Sequence, residues 1–151
     1  MPQSGFRAIA LFFRLTLIDP HQTRLASIRC LRSLRSKGID LDGDLRAPIL
    51  GVMIETWEYF HSRALDADDS LAVEEFSGIS ISLQQWQRFL QEASKEEVLI
   101  YLFCEILQTS LSEVALAMKV SEGSLRHRRS RSLYRLADIL VLKQESSHVE
   151  V

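Results

Sequence analysis

Apolar positions recur along this chain at helical spacing almost from end to end. Between residues 95 and 107, Val98, Leu99, Leu102, Phe103, Ile106 and Leu107 form one wide stripe, the mark of a helix with a buried face. The same reading predicts helices at about 6–18, 22–36, 46–65, 83–92, 95–107, 111–118 and 122–142. The breaks agree with local chemistry. Asp19-Pro20 parts the first two helices, because the residue before proline is pushed out of the helical region. Gly38 to Asp44 parts the next pair, and Asp66 to Ser82 is a long acidic connection with room for one short helix. Ile79-Ser80-Ile81-Ser82-Leu83 alternates, but it is short and runs into a helix start. Nothing else alternates as a strand would. The predicted fold class is all-α.

Three helix starts carry the same signature, a serine followed three residues later by Gln or Glu: Ser82 with Gln85, Ser94 with Glu97, and Ser110 with Glu113. In such a box the serine accepts from the third amide and the longer side chain reaches back to the serine amide. In the second helix the apolar side is Leu25, Ile28, Leu31 and Leu34, with Arg24, Arg29, Arg32, Arg35 and Lys37 around it. In the third, Trp57 and Phe60 are core candidates beside Tyr59, His61 and Arg63.

Composition narrows the class. The chain has 151 residues, 46% hydrophobic and 25% charged, enough for one compact domain or two small helical ones. Ala8 to Ile18 is too short to span a bilayer and holds Arg14. Asp19-Pro20 stands where a signal peptide would place small cleavage-site residues, so the run reads as a buried amphipathic helix. No membrane association is expected. Cys30 and Cys104 lie far apart inside apolar helices, where a free thiol behaves as a small hydrophobe. A reduced, cytoplasmic setting follows as the expectation.

The charge is uneven. Residues 1–37 hold seven bases and one acid, residues 38–113 four bases and fifteen acids, and residues 114–151 seven bases and four acids. Two basic ends around an acidic middle suit a polyanion partner, although the whole chain nets −2.

No catalytic constellation emerges. His21, His61, His127 and His148 are scattered, and no phosphate loop, nucleophile elbow or paired metal ligands occur. Asp40-Leu41-Asp42-Gly43-Asp44 lacks the glycine and glutamate spacing of a calcium loop and reads as a polar turn. The chain is expected to be no enzyme and to need no cofactor or metal.

The C-terminal third carries the chemistry. Leu111, Val114, Ala115 and Met118 face inward on a short helix. Lys119-Val120-Ser121 breaks it, and Ser121 caps a long helix with Leu125, Leu133, Leu136 and Leu140 inward. Two helices on a tight turn, braced by a third, is the helix-turn-helix plan. On the outward side of the last helix, Arg126, Ser130 and Tyr134 fall at steps of four, as do His127 and Arg131, with Arg128 and Arg135 flanking. The start of such a helix enters the major groove while later residues meet phosphates. The DNA-contacting candidates are therefore Ser121, Glu122, Gly123, Ser124, Arg126, His127, Arg128, Ser130, Arg131 and Arg135.

These residues carry a resemblance. Leu111-Ser112, Val114-Ala115, Ser121-Glu122-Gly123-Ser124-Leu125 and Ser130-Arg131, with Glu96-Glu97-Val98-Leu99 before them, resemble region 4 of the bacterial sigma-70 family, of the small extracytoplasmic-function kind. The likeness covers roughly 49 of the 151 residues, Ser94 to Leu142. It implies a module that reads a promoter −35-like element and docks on the RNA polymerase core, with an anti-sigma factor as a further partner. Two positions depart from the family pattern. Lys119 stands where glycine is usual, which implies a different turn or a strained one. Arg129 stands where an apolar residue is usual, and must snorkel, pair with an acid or sit at an interface.

The implied organisation is a helical domain at 1–78, a connecting helix at 79–93, the helix-turn-helix at 94–142 and a polar tail at 143–151. The first domain is either a degenerate region 2, which would capture a melted strand on basic and aromatic residues, or an unrelated helical regulator. Two rival readings keep the fold: a sigma-mimicking module that binds a protein partner without DNA, and a dimeric regulator of the LuxR type.

Overall fold

In the computed structural model the described residues are 5–64 and 82–149, and all their regular structure is helical. The helices are α1 (Gly5–Leu17), α2 (Pro20–Ser36), α3 (Ala47–Ala64), α4 (Leu83–Glu92), α5 (Lys95–Ile100), α6 (Leu111–Met118) and α7 (Glu122–Val149). A π-helical segment, Tyr101–Ile106, continues α5 without a break. The short helix allowed for between Asp66 and Ser82 falls outside the described residues up to position 81.

Capping explains most of the boundaries. Asp19 accepts from the Gln22 amide at 3.1 Å and Pro20 occupies the first turn, so α2 starts two residues earlier than apolar spacing alone suggests. Ser82 with Gln85 and Ser94 with Glu97 form complete capping boxes. Ser110 makes only half of one. It accepts from the Glu113 amide, but the Glu113 carboxylate accepts from the Ala47 amide at 2.7 Å. A side chain of α6 thus caps the first free amide of α3, where negative charge also suits the helix dipole. At the other end, α7 runs through Val149 and takes in most of the expected tail. The stretch from Lys143 to His148 has no glycine or proline to stop it.

The α1–α2 pair departs from the apolar reading of α2. Ala26, Cys30 and Leu34 face inward, whereas Leu25 and Ile28 are each 41% exposed. Small side chains at Ala26 and Cys30 let the two helices close together; Leu34 is buried as expected and Leu31 is half-buried, while Leu25 and Ile28 are turned out. Burial pushes the Cys30 thiol up to about 12, only partly offset by a hydrogen bond with Thr56; both cysteines are free and buried.

One core joins the elements before residue 64 to those after 82. Phe12 of α1 stacks on Phe103 of the π segment, centroids 5.3 Å apart. Trp86 of α4 is 1% exposed and donates its indole N–H to the Leu15 carbonyl at 2.7 Å. That carbonyl lies in the last turn of α1, where Ile18 turns left-handed (φ 67°) and Asp19 bonds Leu17 instead. Trp86 therefore satisfies an acceptor that the helix end leaves open.

Trp86→Phe should lower unfolding free energy by about 2–4 kcal/mol, through an orphaned buried carbonyl and lost volume. Urea denaturation with an unchanged slope would read this directly. A loss below about 0.5 kcal/mol would mean that the bond carries no weight.

Candidate nucleic-acid interface

The turn between α6 and α7 is built from backbone. Lys119 sits at φ 60°, ψ 43°, left-handed. Its amide donates to the Leu116 carbonyl at 3.3 Å, and the Val120 amide donates to the Ala115 carbonyl at 3.0 Å. This pair of bonds is the Schellman closure that glycine makes without strain. The chain thus keeps the turn expected of a glycine and carries lysine in it. Val120 packs half-buried in the corner. Ser121 then accepts from the Ser124 amide at 3.1 Å and opens α7, with Glu122 in its first turn.

The buried side of α7 is Leu125, Ser132, Leu136 and Ile139. Leu133, expected inside, is 40% exposed, and Leu140 is half-buried. Ser132 takes the inward place because its hydroxyl donates to the Glu97 carbonyl at 2.8 Å, a bond that leucine could not offer.

Three arginines of α7 are held against the α5–π helix. Arg128 pairs with Glu96 at 2.6 Å, Arg129 with Glu105 at 2.5 Å and Arg135 with Glu97 at 2.8 Å. These glutamates are all the carboxylates between Lys95 and Ile106. Arg129, the misfit in the apolar pattern, is thereby matched with an acid. The three glutamates were not among the sequence candidates, although their places at the two ends of an otherwise apolar helix are the available signal.

What remains outward is a compact set. Glu122, Gly123, Arg126, His127, Ser130, Arg131 and Tyr134 are exposed on α7. Among the described residues Arg126 and Arg131 make no ion pair. A Cβ at Gly123 would meet nothing within 4 Å, so packing inside the chain does not require glycine there. Of the remaining candidates, Ser121 and Ser124 form the cap, and Arg128 and Arg135 point toward α5. Arg128 and Arg131 line a cleft of about 300 Å³ with Ser94, Glu96 and Glu97.

Elsewhere the aromatic candidates are occupied. Trp57 and Phe60 are buried, and the Arg29 guanidinium lies 3.8 Å over the Tyr59 ring. Residues 37–46 connect α2 to α3; Ile39, Leu41 and Leu45 pack half-buried on the core, and Arg46 donates to the Asp40 carbonyl at 2.8 Å. Among the described residues no cluster of His, Cys, Asp or Glu could hold a metal, and no helix is long and apolar enough to cross a membrane. The chain matches no protein-family model, no curated protein and no solved structure.

The left-handed lysine should be a removable strain. Lys119→Gly should raise stability by about 1 kcal/mol, the left-handed penalty less the added freedom of the unfolded chain. Lys119→Val should lower it, and thermal melts that rank the three proteins otherwise would contradict the assignment.

Glu97 makes a pH prediction. Burial would raise its pKa, but the Arg135 guanidinium and the Ser94 backbone amide outweigh burial and hold the carboxyl below its ordinary 4.5. A depressed folded pKa stabilises above the unfolded value and is lost as pH falls through the folded one. Stability should therefore drop as pH falls below about 4.5, and Glu97→Gln should flatten that acid limb. An identical limb in the variant would exclude Glu97 as its source.

Proposed function

We propose that this chain is a sigma-factor-like transcription regulator of the cytoplasm. It binds promoter DNA and the RNA polymerase core through α5, α6 and α7, and acts by binding rather than catalysis. The observation that carries the reading is the exposed set on α7: Arg126 and Arg131, with His127 and Ser130, beyond a bare Gly123, all presented by a tight Schellman turn. In this reading the first turns of α7 enter the major groove at a −35-like element. Gly123 lets backbone approach the duplex, Arg126 meets base edges, and Ser130 and Arg131 meet phosphates.

One observation favours a second reading. Arg128, Arg129 and Arg135 are spent on Glu96, Glu105 and Glu97, which lowers the positive field that α7 offers to DNA. The alternative is a sigma-mimicking module that occupies an anti-sigma factor and leaves DNA alone.

Arg126→Ala and Arg131→Ala should each weaken promoter-fragment binding about tenfold or more. Each should also reduce the slope of log affinity against log salt by about 0.9 if the arginine contacts a phosphate. Gel retardation across a salt series, beside pull-down of an anti-sigma factor, separates the readings. Salt-independent binding, or variants equal to the parent, would sink the DNA reading. Anti-sigma capture without retardation would select the second.

A further inference from the structure

The largest set of uncommitted cations on the described surface is on α2. This helix contains no acid from Pro20 to Ser36. Its core side is Ala26, Cys30 and Leu34, and at helical spacing Arg24, Ile28, Arg32 and Arg35 fall on the opposite side, where all are exposed. Among the described residues Arg24, Arg32 and Arg35 have no carboxylate partner. This inverts the situation on α7, where three of the five arginines from Arg126 to Arg135 are neutralised. Arg29, on the edge of the same helix, lies over Tyr59 and keeps its charge.

From Arg24 to Arg35 the row extends about 16 Å along the helix axis. Duplex DNA carries one charge per about 1.7 Å, so that length spans about ten phosphates and the row finds partners in any register. Leu25 and Ile28 lie among the arginines, but two half-exposed side chains fall well short of the few hundred Å² at which an apolar patch marks a protein-docking site. The charges dominate the surface.

We infer that α2 is a second nucleic-acid surface, which grips the phosphodiester backbone through Arg24, Arg32 and Arg35 without reading sequence. It lies on a different element from the α7 face and does not depend on that face binding a promoter. Its ligand chemistry is a row of phosphodiesters, whether in a duplex or a single strand.

The test uses the full chain. Fluorescence anisotropy would follow binding to a scrambled duplex of about 20 base pairs and to an oligo-dT strand of similar length, from about 50 to 200 mM salt, the range over which phosphate contacts dominate. The Arg24→Gln/Arg32→Gln/Arg35→Gln protein should lose at least about tenfold in affinity at the low end. Its salt slope should fall by about 2.7 on the duplex or about 2.1 on the strand, as three lost phosphate contacts require. The probe that loses more identifies the form of ligand. The matching triple lysine protein should stay within about threefold of the parent, since phosphate contact needs charge more than shape. All these proteins should keep the parent helical circular dichroism, because the side chains are exposed.

An unchanged slope and affinity on both probes in the glutamine protein would overturn the inference. So would loss confined to phosphatidylserine vesicles, which would make α2 a membrane surface. Loss of binding in Leu25→Ser/Ile28→Ser at an unchanged salt slope would instead make it an apolar docking site. An Arg126→Ala/Arg131→Ala protein run in parallel separates this inference from the promoter reading, since either surface can fail alone.

Discussion

Seven consecutive residues, Val98 to Cys104, are buried, and this enclosure organises the molecule. A helix with no solvent face cannot stand at the edge of a fold; its neighbours must cover it completely. Phe12 covers it from α1 through Phe103, Trp86 and Phe89 from α4 through Tyr101, and α6 and α7 from the remaining sides. The elements before residue 64 are therefore not an appendage to the C-terminal helices, because one of them supplies a wall of the same core. The Trp86 bond to Leu15 and the Glu113 cap on Ala47 pull in the same direction. Each satisfies a helix end with a group from the other half of the chain.

The enclosed helix also determines which way α7 faces. Its carboxylates can sit only at the ends of the buried stretch, and Glu96, Glu97 and Glu105 do. The arginines that answer them sit at 128, 129 and 135, so α7 is gripped on two flanks and its rotation is fixed. Individually such half-exposed pairs contribute no more than about 1 kcal/mol each. Their structural effect is larger than their energy, because they turn Arg126, His127, Ser130 and Arg131 outward while removing three positive charges from the same helix. Orientation and charge are set by the same contacts, and they oppose each other.

Much of this was legible in the residues themselves, and the failures share a cause. Helix boundaries followed from apolar period and serine caps, which act within one turn. Burial of Trp57 and Phe60 and of the α1 stripe followed from hydrophobicity. The misread positions were those whose partner lies far along the chain. Leu133 looked like an inward residue because nothing local reveals that Ser132 reaches the Glu97 carbonyl. Arg129 had to snorkel, pair with an acid or sit at an interface, and only the fold supplies the acid, Glu105, a neighbour in space. Glu113 read as the second half of a capping box, but its actual partner is 66 residues away. On α2 Leu34 is buried as its spacing implies, but Leu25 and Ile28 are not, because close approach to α1 selects the small Ala26 and Cys30. The strained turn at Lys119 belongs to a different class: the sequence marked the position, and only backbone geometry decided between an altered turn and a strained one.

The ion-pair pattern changes what the net charge of −2 means. Three acids are committed to cations of α7 and do not screen the rest of the surface. Lys37 and Lys95 are answered by Glu55 and Glu58 on α3. None of these carboxylates reaches the outward row of α2, and Asp19 is engaged in capping that helix. A chain with a pI near 6.1 can therefore present a locally positive face, because among the described residues Glu96, Glu97 and Glu105 answer cations of α7 while the exposed arginines of α2 meet no carboxylate. Screening at physiological salt acts over about 8 Å. A polyanion therefore meets a patch of that size rather than the sum over the chain. The distribution of partners, more than the number of charges, decides which helix can hold one.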